Sequence, residues 1–294
     1  MPAAFQMRTG LFKGCILANG MALIFPMNSK LLLPALFICA AVSVSAQDWA
    51  RTKLEKSPRH MEYVTVTNGT RAVDCWVVYP EVKGKATAVL VIHDSSGLTD
   101  WARLSADEIA AAGYIAIAPD FLSGAGTNGG GTSSFPGQNE LAAALKKLPT
   151  DQVVGDLNAA AEYAKALPSA NGKLVVAGFC WGGSQASIAA CKRKDLKAVF
   201  VFYGWPPKPA DGIKNIRCPV YGFYGENDAR VTVTVPDGVK DMKSAGKIFK
   251  PVIYEGAGHG FMAHGDPEYP NGTAADRKAR DQSWERLKDL LKKI

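Results

Sequence analysis

The chain has 294 residues, 47% of them hydrophobic, with 34 Lys and Arg against 27 Asp and Glu and a net charge of +7. Cations and acids are interspersed rather than striped, and no nucleic-acid motif accompanies them, which argues against a nucleic-acid-binding protein. The one basic run, Lys288 to Lys293, reads as the solvated face of a last helix.

From Met27 the chain reads Met27-Asn28-Ser29-Lys30, an apolar stretch over 31–42, then Val44-Ser45-Ala46. A basic start, an apolar middle and small residues at the end make a secretory signal peptide, with the start at Met27 and cleavage after Ala46. The stretch is too short, and too interrupted by Pro34, for a membrane span; an uncleaved N-terminal anchor is the alternative. Cleavage of 46 residues leaves 248, removes Arg8, Lys13 and Lys30 but no acid, and lowers the charge to +4. One α/β domain, 47–294, fills that length. The expected location is the periplasm or the medium. Four cysteines remain. Their even number permits disulfides without fixing a pairing, and Cys75, Cys191 and Cys218 are expected to pack as small buried hydrophobes.

Two alternating segments, 62–67 and 72–79, flank Asn68-Gly69 and predict a hairpin. The continuous apolar run 86–92 fits a strand covered on both faces. A helix over 101–112, ended by Gly113, leads to a buried strand at 114–118. Further helices are expected at 151–166, 184–191, 237–245 and 274–291, and strands at 173–177, 198–203, 220–224 and 251–254. The β-then-α repetition predicts a mostly parallel, doubly wound sheet with an antiparallel hairpin at one edge. The segment 123–138 breaks the rhythm. It is rich in glycine and serine, and no Gly-Lys-Ser/Thr follows it to cradle phosphate. It reads as a mobile flap beside the site or a plain surface loop.

Gly178-Phe179-Cys180-Trp181-Gly182-Gly183 follows the apolar run 174–177. This is the layout of a nucleophile elbow with cysteine in the serine slot: the nucleophile sits on a strained strand-to-helix turn, so only small residues fit two positions either side. The positive end of the following helix favours thiolate over thiol. A buried cysteine at a glycine-rich strand end is the competing reading. Acyl chemistry also needs a base and an acid to orient it, in the chain order nucleophile, acid, histidine. Gly225-Glu226-Asn227-Asp228 and Gly258-His259-Gly260 end successive strands. Asp228 is the candidate acid, with Glu226 as the alternative, and His259 the candidate base ahead of His60, His93 and His264. His93-Asp94-Ser95-Ser96-Gly97 ends the strand 86–92, where the fold supplies an oxyanion donor from a backbone N–H, here Ser95, paired with the N–H of Trp181. His93 and Asp94 can equally serve as loop caps.

Together these residues, with Leu98 and Phe261, resemble the dienelactone hydrolase family of α/β-hydrolases over about residues 60–293. The resemblance implies an α/β-hydrolase fold and a Cys180-His259-Asp228 triad. It also implies opening of ester or lactone bonds through a thioester, as in a carboxymethylenebutenolidase, with no cofactor; no metal is expected, since no pair among His93, Asp94, His259 and His264 has helical ligand spacing. The expected partner is a small ester or lactone, and the expected state a monomer. Family members carry a glutamate at the position of Asp94 that holds the resting thiol neutral; here the side chain is one methylene shorter, which leaves Asp94 to modulate Cys180 through charge. Members that bind the dienelactone carboxylate place an arginine four residues after the histidine. That position is Ala263, so Arg103 or Arg230 would have to substitute. A catalytically silent hydrolase-fold protein that binds a ligand or partner in the periplasm is the reading from a different class; an oxidised or disulfide-bonded Cys180 would favour it.

Overall fold

The computed structural model describes residues 48–294, so the signal segment, its start at Met27 and its cleavage after Ala46 lie outside the described residues. The first element is a helix absent from the expectations, α1 (Asp48–Glu55), which buries Ala50 and Leu54 one turn apart. The hairpin follows as β1 (Met61–Asn68) and β2 (Arg71–Val78), paired in register from Met61 opposite Val78 to Asn68 opposite Arg71. The turn sits one residue later than expected. Asn68 is the last paired residue, and Gly69, at φ 60°, takes the first loop position.

Beyond the hairpin, β3 (Ala86–Ile92), α2 (Asp100–Ala111) and β4 (Ile115–Pro119) follow as the apolar pattern predicts, then α3 (Gln138–Lys147), which it does not, and the predicted α4 (Thr150–Ala166), β5 (Ala170–Phe179), α5 (Trp181–Lys192) and β6 (Leu196–Phe202). The chain continues through β7 (Val220–Gly225), α6 (Ala229–Thr232), α7 (Val235–Ser244), β8 (Phe249–Tyr254), α8 (Phe261–His264) and α9 (Ala274–Leu291). The eight strands form one sheet in the order β1-β2-β4-β3-β5-β6-β7-β8. β1, β2 and β4 pair antiparallel and the remaining neighbours parallel. This is the expected α/β-hydrolase architecture.

Successive strand residues face opposite layers, so every central strand feeds two cores. Leu174 and Val176 of β5 join Leu157 of α4 and Ala186 of α5 on one face. Val175, Ala177 and Phe179 join Ile109 of α2 and Leu287 of α9 on the other. On that second face Phe179, Phe202 and Phe223 stack across three strands at centroid spacings of 4.7 and 4.2 Å. This aromatic ladder underlies the strand ends that carry the candidate site.

The glycine-rich segment is tied down rather than a free flap. It forms two short 3-10 turns, Thr127–Gly129 and Thr132–Ser134. The Asp120 carboxylate accepts from the Thr132 amide (2.7 Å) and hydroxyl (2.8 Å), and the Thr132 hydroxyl accepts from the Leu98 amide (3.0 Å). Arg71 donates to the Phe121 and Ser123 carbonyls.

Candidate active site

β5 and α5 are joined by a single residue, Cys180, held at φ 55° and ψ −114°. A non-glycine residue there costs about 1–3 kcal/mol and persists only when its surroundings over-determine it. The surroundings do so through backbone contacts. A Cβ on Gly178 would lie 2.1 Å from the Gly182 carbonyl oxygen, and one on Gly182 would lie 2.2 Å from the Ile92 and 2.3 Å from the His93 carbonyl oxygens. The two glycines let the elbow close on itself and on the end of β3. The Cys180 amide donates to the Phe202 carbonyl (3.0 Å), which fixes the turn against β6.

His259 lies in the loop after β8, where the Gly258 amide donates to the Asp276 carboxylate at 2.9 Å. Its Nε2 is 3.0 Å from Cys180 Sγ, and its Nδ1 is 2.5 Å from Asp228 Oδ2. With a carboxylate as partner, Nδ1–H donates and Nε2 faces the sulfur. Asp228 is 5% exposed, and its other oxygen accepts from the Val231 amide at the start of α6. Glu226, the alternative acid, is exposed and accepts from the Gly256 amide instead. His60 is exposed near Glu62, and His264 packs against Tyr269. Neither joins the cluster.

Burial works against a charged His259 ring, but the hydrogen bond and charge of the Cys180 sulfur, aided by Asp228, outweigh it and raise the ring to about 8. A raised pKa means that the folded state binds this proton more tightly than the unfolded chain. The stabilisation is therefore complete below about 6.5 and is lost as pH rises through about 8. Replacing Cys180 with alanine removes the two sulfur contributions, so the His259 midpoint should fall. An NMR titration of the ring checks this, and an unchanged midpoint would show that the sulfur does not set it.

All four cysteines described are free. Cys75, Cys191 and Cys218 are buried as small hydrophobes, and burial pushes the Cys191 thiol up to about 12 and the Cys218 thiol to about 11. Cys180 is partly exposed. It forms no disulfide with any other described cysteine.

Ser95 and Trp181 both line the cleft above Sγ, and neither amide has an intramolecular hydrogen-bond partner among the described residues. Asp94, half-buried, accepts from the Ser96 amide at 2.7 Å. Its carboxyl is raised by burial, against the hydrogen bonds from Ser96 and the charge of His259. The hydrogen bond recorded at Sγ is to His259, not Asp94. Neither His93 nor Asp94 caps α2, whose first turn receives no side-chain cap.

The cleft has a volume of about 560 Å³. Leu145, Ile188, Tyr203, Trp205 and Val231 make its walls apolar, and Lys146 and Arg230 supply cations. Both cations are exposed, and neither has an ion-pair partner among the described residues. Of the two arginines expected to stand in at the position of Ala263, Arg230 is here. Arg103 is bound to Asp100 and lies 5.1 Å over the Trp76 ring. Helix α3, which supplies Leu145 and Lys146, escaped the sequence reading. Its signal was the Leu141 and Leu145 pair one turn apart after Gly137.

A profile of the dienelactone hydrolase family matches residues 73–294. A Methylorubrum extorquens protein named "Putative carboxymethylenebutenolidase" is 31% identical over 216 residues, covering 70% of this chain and 73% of its own. The crystal structure of a dienelactone hydrolase-like promiscuous phosphotriesterase from metagenomic libraries superposes with a TM-score of 0.68 at 22% identity, over 80% of this chain and 98% of that one. The acylaminoacyl peptidase of Pyrococcus horikoshii shares the fold at a TM-score of 0.60 and 16% identity, over 84% of this chain and 43% of its own.

Proposed function

The chain belongs to the dienelactone hydrolase family, and we propose that within this family of hydrolases it opens ester or lactone bonds of small carboxylic compounds with Cys180 as nucleophile. It would then be a carboxylic ester hydrolase of the EC 3.1.1 class. What carries the reading is the unbroken hydrogen-bonded chain from Sγ through His259 to Asp228 at the floor of an apolar cleft.

Cys180 attacks the carbonyl carbon while His259 holds the thiol proton, and the Sγ–C bond forms. The oxyanion points at the Ser95 and Trp181 amides, donors already in place where charge develops. His259 returns the proton to the leaving oxygen as the C–O bond breaks, leaving a thioester; for a lactone the released hydroxyl stays attached to the acyl group. Water then attacks the thioester, His259 takes its proton, and the C–S bond breaks to release the acid. Asp228 holds the ring in the Nδ1–H tautomer throughout. Asp94 modulates the nucleophile through charge, since its carboxyl engages Ser96 and leaves Sγ to His259.

The cleft suits an apolar acyl or aryl body with an anionic end near Arg230 or Lys146. Arg230→Glu is expected to weaken kcat/KM about tenfold for a p-nitrophenyl hemisuccinate relative to p-nitrophenyl butyrate. Equal changes for the two esters would remove Arg230 from substrate recognition.

Purified protein incubated with p-nitrophenyl acetate and a thiol reagent tests the nucleophile. Turnover should fall in step with modification of Cys180, located by peptide mass mapping; loss without labelling of Cys180 would defeat the assignment. The reading places the enzyme in the periplasm or medium on the strength of the segment ending at Ala46. A precursor-sized product in the cytosol would overturn that placement.

A further inference from the structure

His93 is fully buried and takes no part in the steps above. Its Nδ1 lies 2.8 Å from the Asp94 carbonyl oxygen, so Nδ1 carries the proton and donates it. Its Nε2 is buried without a partner, and burial holds the ring neutral against the pull of Asp120. The ring is stacked on Trp181 at 5.5 Å and 19° and meets the edge of Phe121 at 5.3 Å, so it cannot turn.

The peptide that carries the Asp94 carbonyl is the one that carries the Ser95 amide. In a planar trans peptide the two groups point in opposite directions, so fixing one fixes the other. We propose that His93 is the positioning residue of the oxyanion hole: by donating Nδ1–H to the Asp94 carbonyl it locks the peptide plane that aims the Ser95 amide into the cleft, and by stacking on Trp181 it sets the second donor against the first. This rests on the thioester reading above. The close approach at Gly182 serves the same end, because it brings the first turn of α5 onto the His93 carbonyl. Gln138 supports the next peptide by donating to the Ser95 carbonyl at 3.1 Å.

The test compares His93→Asn, whose amide can occupy the Nδ1 position, with His93→Leu, of nearly the same shape but with no donor. Three quantities are read: kcat and KM for p-nitrophenyl acetate, the Ki of an aryl trifluoromethyl ketone, and the rate of Cys180 alkylation by iodoacetamide. The ketone adds the thiol to give an oxyanion that needs the hole, whereas alkylation does not. For His93→Leu, kcat should fall about 10- to 100-fold at a KM within about twofold, and the Ki should rise by a similar factor at an unchanged alkylation rate. His93→Asn should stay within about threefold of the wild type. If His93→Leu lacks a cooperative melting transition, His93→Gln, with its donor one bond too far, takes its place. The proposal is overturned if the donor-free variant keeps its kcat and Ki, or if the Asn variant falls as far as it does. Failure of the thioester reading looks different: the wild-type protein itself would show no turnover that depends on Cys180.

Discussion

Replacing Cys180 with alanine should lower kcat/KM for p-nitrophenyl acetate by about 10⁴-fold or more, leaving only what binding and the oxyanion donors supply. The size follows from geometry. Sγ sits 3.0 Å from His259 Nε2, and His259 is held by Asp228 at 2.5 Å, so the proposed nucleophile, base and orienting acid form one hydrogen-bonded unit. Removing either of the first two removes the covalent step, and His259→Ala should match Cys180→Ala. Cys180→Ser should retain measurable turnover, because the hydroxyl takes the place of the thiol beside the same base. Cys191→Ala, 3% exposed and not among the residues that line the cleft, should cost about 1 kcal/mol of stability and leave activity intact. Steady-state kinetics on the four variants decides the matter. Equal losses in Cys180→Ala and Cys191→Ala would mean that the wrong thiol has been named. A wild-type protein that hydrolyses nothing after mild reduction would turn the reading to a silent binding protein.

Asp266→Ala should destabilise the fold by about 3–5 kcal/mol, the cost of stripping a buried ion cluster of its anion. Asp266 is completely buried, and its carboxylate accepts from Lys53 Nζ at 2.7 and 2.8 Å, from Arg280 Nη2 at 2.7 Å and from the Glu268 amide at 3.0 Å. Arg280, 7% exposed at its side chain, also pairs with Glu108. Without Asp266, two cations face one another across a void, and Glu108 alone cannot neutralise both. The expected fall in Tm is roughly 6–20 °C for a chain of this size, measured by thermal unfolding followed by circular dichroism. A Tm within about 2 °C of the wild type would show that water or rearrangement replaces the carboxylate. The cluster matters to the site because Asp266 closes the turn after α8, the short helix that follows His259, while Lys53 ties α1 to it. Helix α1 lies outside the family segment 73–294 and is bound by that contact to the turn after α8, downstream of His259.

The sequence by itself determined the alternation of strands and helices, the edge hairpin, the glycine-flanked turn at Cys180 and the chain order Cys180, Asp228, His259. These are local facts. Apolar periods of two and of 3.6, a turn glycine, and glycines two residues either side of a nucleophile all act over a few bonds, so they are written in neighbouring letters. Even there some of the deciding contacts are remote. The choice of Asp228 over Glu226 depends on which carboxylate the loop after β8 reaches, 31 residues away. Tertiary structure alone made the glycine-rich segment a tied turn, because Thr132 meets Asp120 and Leu98 across the strand end. It alone made α3 a wall of the cleft and set His93 between Phe121 and Trp181. Such pairings have no sequence period. They arise when parallel strands bring their C-terminal ends to one edge of the sheet, and the loops that meet there come from residues far apart in the chain.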